Sequence, residues 1–445
     1  MTTRIAVIGA GAAGLTQVKQ LVDAFARDNV TTNLELVAYE SPTVLKYLQE
    51  YARDNNLLSY IQFSTCVTRL YHTPARASPS RKWTIESENT QTSQKESQEF
   101  DYVSVANGHY SDSWIPEIPG LTEYTGSVMH SRYYRRPSDY QGQRVLVVGS
   151  YASGSDVARH LANLNVGKFT RSGEAIEPSG GLATPPAEQT AYTTVFQSSS
   201  TVPSGYNIGE MNPQTTWQDH IRPYPLISHM EGSRIYFQGT AEYLEDIDTI
   251  IFATGYNFAL PFCKVTDLPW RDESARVMDK VISKGERTGG AEWEVGGLKG
   301  LGTKDLDELL LFLENDRSLA FLALQYQVVP FPLAEIQSRL IAFLWAGLVH
   351  LPKELDVPIN SANPYWTPPT TPPTSGNSPQ GVRKVLQQRQ KLVFGASYEW
   401  IYEEYLMSLI RDVDGDSTED CWREIEGWRR ERRADLGLRM RTLGF

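Results

Sequence analysis

Two glycine-rich segments, each directly after a short apolar run, constrain the fold of this 445-residue chain more than any other feature. The first is Gly9-Ala10-Gly11-Ala12-Ala13-Gly14, which follows the apolar residues 5–8. The second is Gly149-Ser150-Tyr151-Ala152-Ser153-Gly154, which follows residues 145–148. A buried strand, a glycine-rich turn and a helix form the dinucleotide-binding βα unit. Two such units predict an α/β protein with two Rossmann-like domains, and they suggest electron transfer between two cofactors.

The first segment has the complete pattern of a dinucleotide loop. Gly9 allows a sharp turn out of the strand, Gly11 has no side chain to block a diphosphate, and Gly14 allows close packing of a helix over residues 15–25. A second strand over residues 34–39 leads to Glu40, where an acidic residue usually binds ribose hydroxyls. The alternative is a glycine turn without a ligand, which the ordered series of strand, loop, helix, strand and acid disfavours.

The second segment departs from the pattern because Tyr151 takes the place of the middle glycine. Ser150 and Ser153 add hydroxyl donors, and Gly154 permits close packing of a helix over residues 156–162. We expect the next strand to end near residues 168–172, where Arg171 offers a cation in place of a carboxylate. A cation at this position favours a ribose 2′-phosphate, and therefore NADPH. The alternative is that Arg171 is a solvated surface residue.

Charge and cysteine content exclude several classes of protein. The net charge of −11 and the pI near 5.3 argue against a nucleic-acid-binding surface. Cys66, Cys263 and Cys421 form no CxxC pair, which argues against a disulfide framework, a zinc site and a dithiol reductase. We expect no metal site, and no acid and base residues stand at a spacing that identifies a catalytic pair.

The chain is expected to be a cytoplasmic protein with no integral membrane segment. The first strand begins at Arg4, which leaves no room for a signal peptide. The longest apolar run, residues 340–349, is about half the length of a membrane-spanning helix and is interpreted as a buried helix.

Between and after the loops, the pattern predicts a helix over residues 47–52, strands over 61–71 and 82–87, and a solvated hairpin tip over 87–99. Two acid-led strands, 101–110 and 248–256, each end in an Ala-(Asn/Thr)-Gly turn, which indicates a crude internal duplication. Residues 172–236 are interpreted as loop-rich. Two alternatives stay open for them, a segment that lines or covers a substrate site and a plain surface excursion. A proline-rich linker over 364–379 precedes a helical segment over 386–439, whose basic cluster 429–433 is interpreted as a solvated helix face.

A further motif suggests a family. Residues 124–134, Tyr-Thr-Gly-Ser-Val-Met-His-Ser-Arg-Tyr-Tyr, fit the pattern F-x-G-x-x-x-H-x-x-x-(F/Y), with Tyr124 in place of phenylalanine and Gly126, His130 and Tyr134 at the expected spacing. With similar stretches at 105–110, 115–120, 252–256 and 318–352, the chain resembles the flavin-containing monooxygenases, in their fungal branch.

The resemblance implies an FAD-binding domain in two parts, residues 1–140 and 246–360, with an inserted NADPH-binding domain at 141–245, followed by a linker at 361–385 and a helical segment at 386–445. It implies that NADPH reduces FAD, and that a flavin hydroperoxide formed with O₂ passes one oxygen atom to a soft nucleophile, N or S, of a small metabolite. By analogy, His109 and His130 are structural, and His130 helps to shape the nicotinamide side.

The loops and the resemblance together define a set of candidate cofactor-binding residues. They are Gly9, Gly11, Ala12, Ala13, Gly14, Glu40, Val67, Asn107, Gly108, His130, Gly149, Ser150, Ser153, Gly154, Arg171, Thr254 and Gly255. Motifs assign neither a catalytic residue nor the substrate nor the oligomeric state.

One departure from the family concerns the segment after Glu40. Relatives carry several tens of residues between this acid and the next helix, whereas here only a short stretch separates them. The wall of the isoalloxazine pocket is expected to be incomplete. This leaves open two alternatives, a catalytically impaired nucleotide-binding homologue and an uncoupled NADPH oxidase in which water breaks down the hydroperoxide.

Overall fold

The structure is a computed structural model, and it describes residues 2–26, 33–39, 46–73, 82–166, 192–200, 217–264, 266–270, 282–284, 293–295, 306–352, 355, 392, 394, 396–410 and 425–434. The helices of this part of the chain are α1 (Ala12–Phe25), α2 (Lys46–Asp54), α3 (Ala152–Ala162), α4 (Pro330–Trp345), α5 (Ala396–Ser408) and α6 (Gly427–Ala434). The strands are β1 (Thr2–Ile8), β2 (Asn33–Tyr39), β3 (Ile61–Gln62), β4 (Thr65–Thr73), β5 (Lys82–Asn89), β6 (Lys95–Phe100), β7 (Tyr102–Val105), β8 (Asp112–Ser113), β9 (Ser127–His130), β10 (Arg144–Val148), β11 (Thr194–Ser198), β12 (Ile221–Tyr224), β13 (Ile227–Glu231), β14 (Arg234–Phe237), β15 (Tyr243–Leu244), β16 (Thr249–Phe252), β17 (Tyr256–Asn257), β18 (Ile282–Lys284), β19 (Trp293–Val295), β20 (Phe312–Leu313) and β21 (Asp316–Phe321).

The chain forms two units, and the second is inserted into the first. Unit 1 comprises Met1–His109, Phe258–Asp279 and Leu298–Ala434, and unit 2 is mainly Tyr110–Asn257. This division differs from the expected boundaries at residues 140 and 245. The reason is that β9 and β16 pair with each other, and β16 pairs with β10, so these strands belong to the sheet of unit 2.

Unit 1 is built on a six-stranded sheet in the order β20-β21-β7-β1-β2-β3. Strand β1 is central and runs parallel to both β2 and β7, and its residues 5–8 are buried. A strand buried on both faces requires a continuous apolar run, which this segment supplies. Helices α1 and α4 belong to the same core. The apolar run that begins at residue 340 is therefore a buried helix as far as Trp345, as predicted.

A three-stranded sheet, β4-β5-β6, also belongs to unit 1. The polar run 87–99 is less of a hairpin tip than expected, because β5 continues to Asn89 and β6 begins at Lys95. Ser87 is buried, and the tip of the hairpin is limited to the short turn between the paired strands β5 and β6. The sequence did not indicate these parts of β5 and β6, because their exposed face carries polar side chains and the segment lacks an apolar run.

Unit 2 is built on a five-stranded parallel sheet in the order β12-β11-β10-β16-β9. Two apolar clusters cover its two faces, and the second includes α3 residues. The region 172–236 is more regular than expected in its described part, because it contains β11, β12, β13 and β14. Strand β11 was missed because it pairs with β10, a segment far away in the sequence, and no local pattern shows that pairing.

The described part of the C-terminal segment contains α5 and α6, whereas the proline-rich linker lies outside the described residues. The basic cluster is not simply a solvated face. Arg429 lies 3.3 Å from the buried carboxylate of Glu403, and Arg430 pairs with Glu404. Within the described residues, no helix is both long enough and apolar enough to cross a membrane.

Candidate functional site

The first glycine loop joins β1 to α1 and has no room for side chains at two of its positions. Gly9 has a φ of +108°, which L-residues rarely adopt, and a Cβ there would lie 2.5 Å from the carbonyl oxygen of Ala106. A Cβ at Gly14 would lie 1.9 Å from the carbonyl oxygen of Gly9. Gly9 therefore makes the turn, and Gly14 lets α1 lie against it, as the sequence predicts.

Gly11 differs from Gly9 and Gly14, because the space that its side chain would occupy contains no protein atom. It is the N-cap of α1 at φ −78° and ψ −167°, a backbone conformation that any residue adopts, and a Cβ there would meet no atom within 4 Å. No side chain caps the helix, and its first turn contains no acidic residue. Ala12 and Ala13 follow in that turn. An uncapped helix start behind open space suits a diphosphate.

Beside the first loop lies a cavity of about 330 Å³. Ala10 and Leu15 line it from the loop and α1, and Gln49 and Arg53 line it from α2. The remaining lining residues are Ala52, Leu58, Ile61 and Phe63, of which Leu58 and Phe63 are 43% and 49% exposed. The residues present thus offer a mostly apolar cavity beside the first glycine loop, with Gln49 and Arg53 as its polar groups.

Strand β7, which pairs with β1, also ends beside the first glycine loop. Asn107 follows β7 and its Nδ2 donates a hydrogen bond to the carbonyl oxygen of Ala259 at 3.2 Å, and Gly108 has a φ of +73°. Val67, on β4, is half-buried against the core of unit 1. His109 is buried with its ring 5.2 Å from that of Phe258, in agreement with a structural role.

The second glycine loop, between β10 and α3, repeats the first. Gly149 has a φ of +112°, and a Cβ there would lie 2.5 Å from the carbonyl oxygen of Ala253. A Cβ at Gly154 would lie 2.2 Å from the carbonyl oxygen of Gly149. The internal duplication inferred from the sequence therefore extends to the contacts of individual glycines.

Tyr151 is the N-cap of α3, with φ −81° and ψ −172°, within a few degrees of Gly11. The tyrosine therefore causes no backbone strain, and its side chain is 64% exposed. No side chain caps α3, and its first turn contains no acidic residue. Ser150 is half-buried and Ser153 is exposed. The loop can receive a diphosphate, but a phenol stands where the first loop leaves open space.

The motif 124–134 connects the elements of unit 2. The Tyr124 hydroxyl donates a hydrogen bond to the carbonyl oxygen of Ile247 at 2.7 Å. A Cβ at Gly126 would lie 2.6 Å from the Tyr124 ring, so glycine is needed beneath it. The Tyr124 hydroxyl thus makes a buried hydrogen bond that a phenylalanine could not form.

His130 is held as a neutral ring. Its Nδ1 accepts a hydrogen bond from the backbone N–H of Arg132 at 3.1 Å, and its Nε2 lies 3.0 Å from the carbonyl oxygen of Gly255. Both bonds form when Nε2 carries the only ring proton. Burial lowers the pKa of His130 to about 4. This geometry gives His130 a structural role, because neither nitrogen is available as a base.

Thr254 and Gly255 complete the edge of the sheet next to the second loop. The Thr254 hydroxyl donates a hydrogen bond to the carbonyl oxygen of Trp114 at 2.5 Å, and Trp114 donates its backbone N–H to the Gly255 carbonyl oxygen at 3.0 Å. Within unit 2, the structure therefore brings together Gly149, Gly154, Thr254, Gly255 and His130 at the carboxyl ends of β10, β16 and β9.

Two candidate residues, Glu40 and Arg171, lie outside the described residues, so their proposed contacts with ribose and 2′-phosphate stay predictions. The strand end expected near residues 168–172 also lies outside the described residues. The neighbours of β10 are β11 and β16, and β11 spans Thr194–Ser198 rather than residues 168–172.

One positioning feature was missed by sequence reasoning. The Gln197 amide is buried and donates hydrogen bonds to the carbonyl oxygens of Gly149 and Gly154, which ties the second loop to β11. No local pattern could show this contact. In contrast, the acid-led strands did carry a signal. Asp101 accepts a hydrogen bond from the Arg4 backbone N–H at 2.9 Å, and Asp248 accepts one from that of Arg144 at 2.7 Å.

The described cysteines are an exposed Cys66 and a buried Cys263, and Cys421 lies outside the described residues. In the part of the chain that the structure describes, no group of three His, Cys, Asp or Glu side chains could hold a metal ion.

Comparison with known proteins gives a family match for part of the chain. Residues 37–175 match the family described as flavin-binding monooxygenase-like. The chain is 25% identical over 326 residues to flavin-containing monooxygenase FMO GS-OX-like 3 of Arabidopsis thaliana, covering 73% of this chain and 58% of that protein. It is 30% identical over 252 residues to flavin-containing monooxygenase 3 of Rattus norvegicus, covering 49% of this chain and 47% of that protein.

The fold is similar to that of solved structures. The S-allyl-L-cysteine S-oxygenase of Allium sativum aligns with a TM-score of 0.60 at 17% identity, covering 100% of this chain and 94% of that one. Tmm from Pelagibacter sp. strain HTCC7211 aligns with a TM-score of 0.52 at 18% identity, covering 79% of this chain and 77% of that one. The chain spans less than two thirds of the length of the plant and rat relatives.

Proposed function

We propose that the chain, whose residues 37–175 match the family described as flavin-binding monooxygenase-like, is an FAD- and NADPH-dependent monooxygenase that acts on a small metabolite. The observation that carries the proposal is the pair of equivalent loops. Gly11 and Tyr151 are N-caps with nearly the same backbone angles, and each precedes a helix with no side-chain cap. Two loops of this kind support two dinucleotide sites in one chain.

In this proposal, the first loop holds the diphosphate of FAD at the start of α1, with Gly11 as the point of closest approach. Asn107 and Gly108 stand at the end of the adjacent strand, and the cavity lined by Leu58 and Phe63 receives an apolar part of the cofactor. Bound flavin supplies the redox and oxygen chemistry. The residues of the chain orient it and exclude water.

The second loop holds NADPH in the same way, with Ser150 and Ser153 as hydroxyl donors. His130 keeps the ends of β9 and β16 together as a neutral ring rather than exchanging a proton. The substrate class that we propose is a small molecule with a soft nitrogen or sulfur atom. The S-allyl-L-cysteine S-oxygenase, which has a similar fold, supports a sulfur substrate by its name.

The experiment that tests the proposal is an absorption spectrum of the purified full chain after FAD is added and the excess is removed. We expect bound flavin bands that bleach when NADPH is added under nitrogen, followed by substrate-dependent NADPH and O₂ consumption in air. A colourless protein, or a flavin that NADPH does not reduce, would contradict the proposal. Gly11→Ala is the matched variant, since it changes the diphosphate position without a clash in the protein.

A second candidate function is an uncoupled NADPH oxidase. It is favoured by the shortened segment after Glu40 together with the partly exposed walls of the first-loop cavity, Leu58 and Phe63. Water that enters beside reduced flavin diverts oxygen to peroxide. About one peroxide released per NADPH, with no effect of nitrogen or sulfur nucleophiles, would support this candidate and remove the monooxygenase.

A further inference from the structure

The cavity beside the first glycine loop lies toward one side of the unit 1 sheet. Ala10 follows the carboxyl end of β1, Phe63 follows the carboxyl end of β3, and both line the cavity. Strand β2 runs between β1 and β3 and is parallel to both. Strand β7 pairs with β1 on the opposite side, and the described lining residues include none from β7 or the turn after it. The cavity is therefore on the β2 side of the loop.

The order of the strands indicates which half of FAD reaches this side. The order reverses at β1, with β7 on one side and β2 on the other. In sheets of this kind the dinucleotide crosses the point of reversal, and the adenosine ribose lies at the end of the strand that follows the glycine helix. That strand is β2. The adenosine half is therefore directed to the cavity, and the flavin half to the end of β7.

The walls of the cavity suit a flat aromatic base. Six of the eight described residues that line it are apolar, and Leu58 and Phe63 among them are 43% and 49% exposed. A ligand in the cavity would cover both of these large apolar side chains. Nucleic-acid bases stack on aromatic rings such as that of Phe63 and on the planar guanidinium of arginine.

The polar groups of the cavity suit adenine in particular. Gln49 and Arg53 lie one helical turn apart on α2, and the Arg53 Nε donates a hydrogen bond to the Gln49 carbonyl oxygen at 3.3 Å. The side-chain amide of Gln49 has a donor and an acceptor side by side. The adenine edge presents the N7 acceptor beside the N6 donor, whereas guanine presents two acceptors there. One glutamine can therefore pair with both groups of adenine and with only one of guanine.

We propose that this cavity binds the adenine ring of FAD, with Phe63 as the stacking ring and Gln49 as the residue that hydrogen-bonds the edge of the base. The inference rests on the proposed function, because it takes FAD as the ligand of the first loop. An adenine ring in the cavity covers the exposed walls formed by Leu58 and Phe63. Those walls then no longer favour the oxidase candidate, which rests on the shortened segment alone.

The test measures FAD binding to the flavin-free full chain by flavin fluorescence, with ADP or GDP as competitor. Competition counts only nucleotide at the FAD site, so binding at the second loop does not enter. We expect ADP to compete about 5- to 10-fold more strongly than GDP. Phe63→Ala is expected to weaken FAD and ADP alike by about 5- to 10-fold, as the loss of one base-stacking contact does. Gln49→Ala is expected to reduce the preference for ADP to less than about 2-fold.

Ile401→Ala and Gln91→Ala are the matched controls, because both residues are exposed in unit 1 and neither lines the cavity. The proposal is overturned if Phe63→Ala weakens FAD but not ADP, since the flavin ring would then occupy the cavity. It is also overturned if the wild type does not distinguish ADP from GDP, or if neither variant differs from its control. A wild-type protein that binds no FAD instead contradicts the proposed function.

Discussion

The Tyr124 hydroxyl donates a hydrogen bond to the backbone carbonyl of Ile247, which lies 123 residues later in the chain. The same ring leaves no space for a side chain at Gly126. Two positions of the 124–134 motif are therefore explained by one buried contact. The motif joins β9 to the chain that precedes β16, and His130 joins the far ends of the same strands through Gly255.

Tyr124→Phe is expected to lower the free energy of unfolding by about 1 kcal/mol, because the buried Ile247 carbonyl loses its donor. Urea unfolding measures the change. Tyr243→Phe, at an exposed site, should be nearly neutral. Equal stability of Tyr124→Phe and the wild type would show that the hydrogen bond contributes nothing.

Gly11→Ala and Gly14→Ala should separate binding from folding. The first places a methyl group in open space and should leave thermal stability unchanged while it weakens FAD binding. The second places a methyl group against the Gly9 carbonyl and should cost about 2–3 kcal/mol of stability. FAD retention and thermal melting, measured on both variants, check the pair. A Gly11→Ala protein with wild-type FAD affinity would refute the assigned diphosphate position.

His130 should make the protein less stable in mild acid. Its pKa is about 4 in the folded chain and about 6.5 when unfolded, so the unfolded chain binds more protons between these values. Its contribution is complete above about pH 6.5 and decreases as the pH falls, by about 2 kcal/mol between about pH 7.5 and pH 5.

His130→Gln should remove that part of the pH dependence, measured by urea unfolding at both pH values. Asp307, whose pKa burial raises to about 6, acts in the opposite direction, so the variant must be compared with the wild type at each pH. Identical pH profiles of the two proteins would mean that His130 is not held neutral.

Glu403 should destabilise the protein in mild alkali. Burial raises its pKa to about 8, the charge of Glu399 adds to the effect, and Arg429 lowers it. A raised acid pKa means that stability is present below about pH 4.5 and is lost as the pH rises through about 8. Glu403→Gln should therefore gain stability relative to the wild type at pH 8 compared with pH 5, in paired unfolding curves. A constant difference at both pH values would argue against a protonated Glu403.

Both βα units could be predicted from the sequence, because each is a continuous segment whose pattern is local. A β-branched run, glycines at set positions and a helix leave few alternatives, and Gly9, Gly14, Gly149 and Gly154 have the contacts that the pattern requires. Asp101 and Asp248 were recognised as a repeat, although their hydrogen bonds to Arg4 and Arg144 were not foreseen.

The sequence by itself determined the two loops, their helices and the repeat of the acid-led strands, since short-range sterics and hydrophobic periodicity decide these. Only the tertiary structure decided that β11 lies beside β10, that Gln197 holds the second loop, and that Arg429 meets the buried Glu403. Those contacts join segments far apart in the chain. They depend on which strands exchange hydrogen bonds and which side chains are buried together, and no local pattern encodes either.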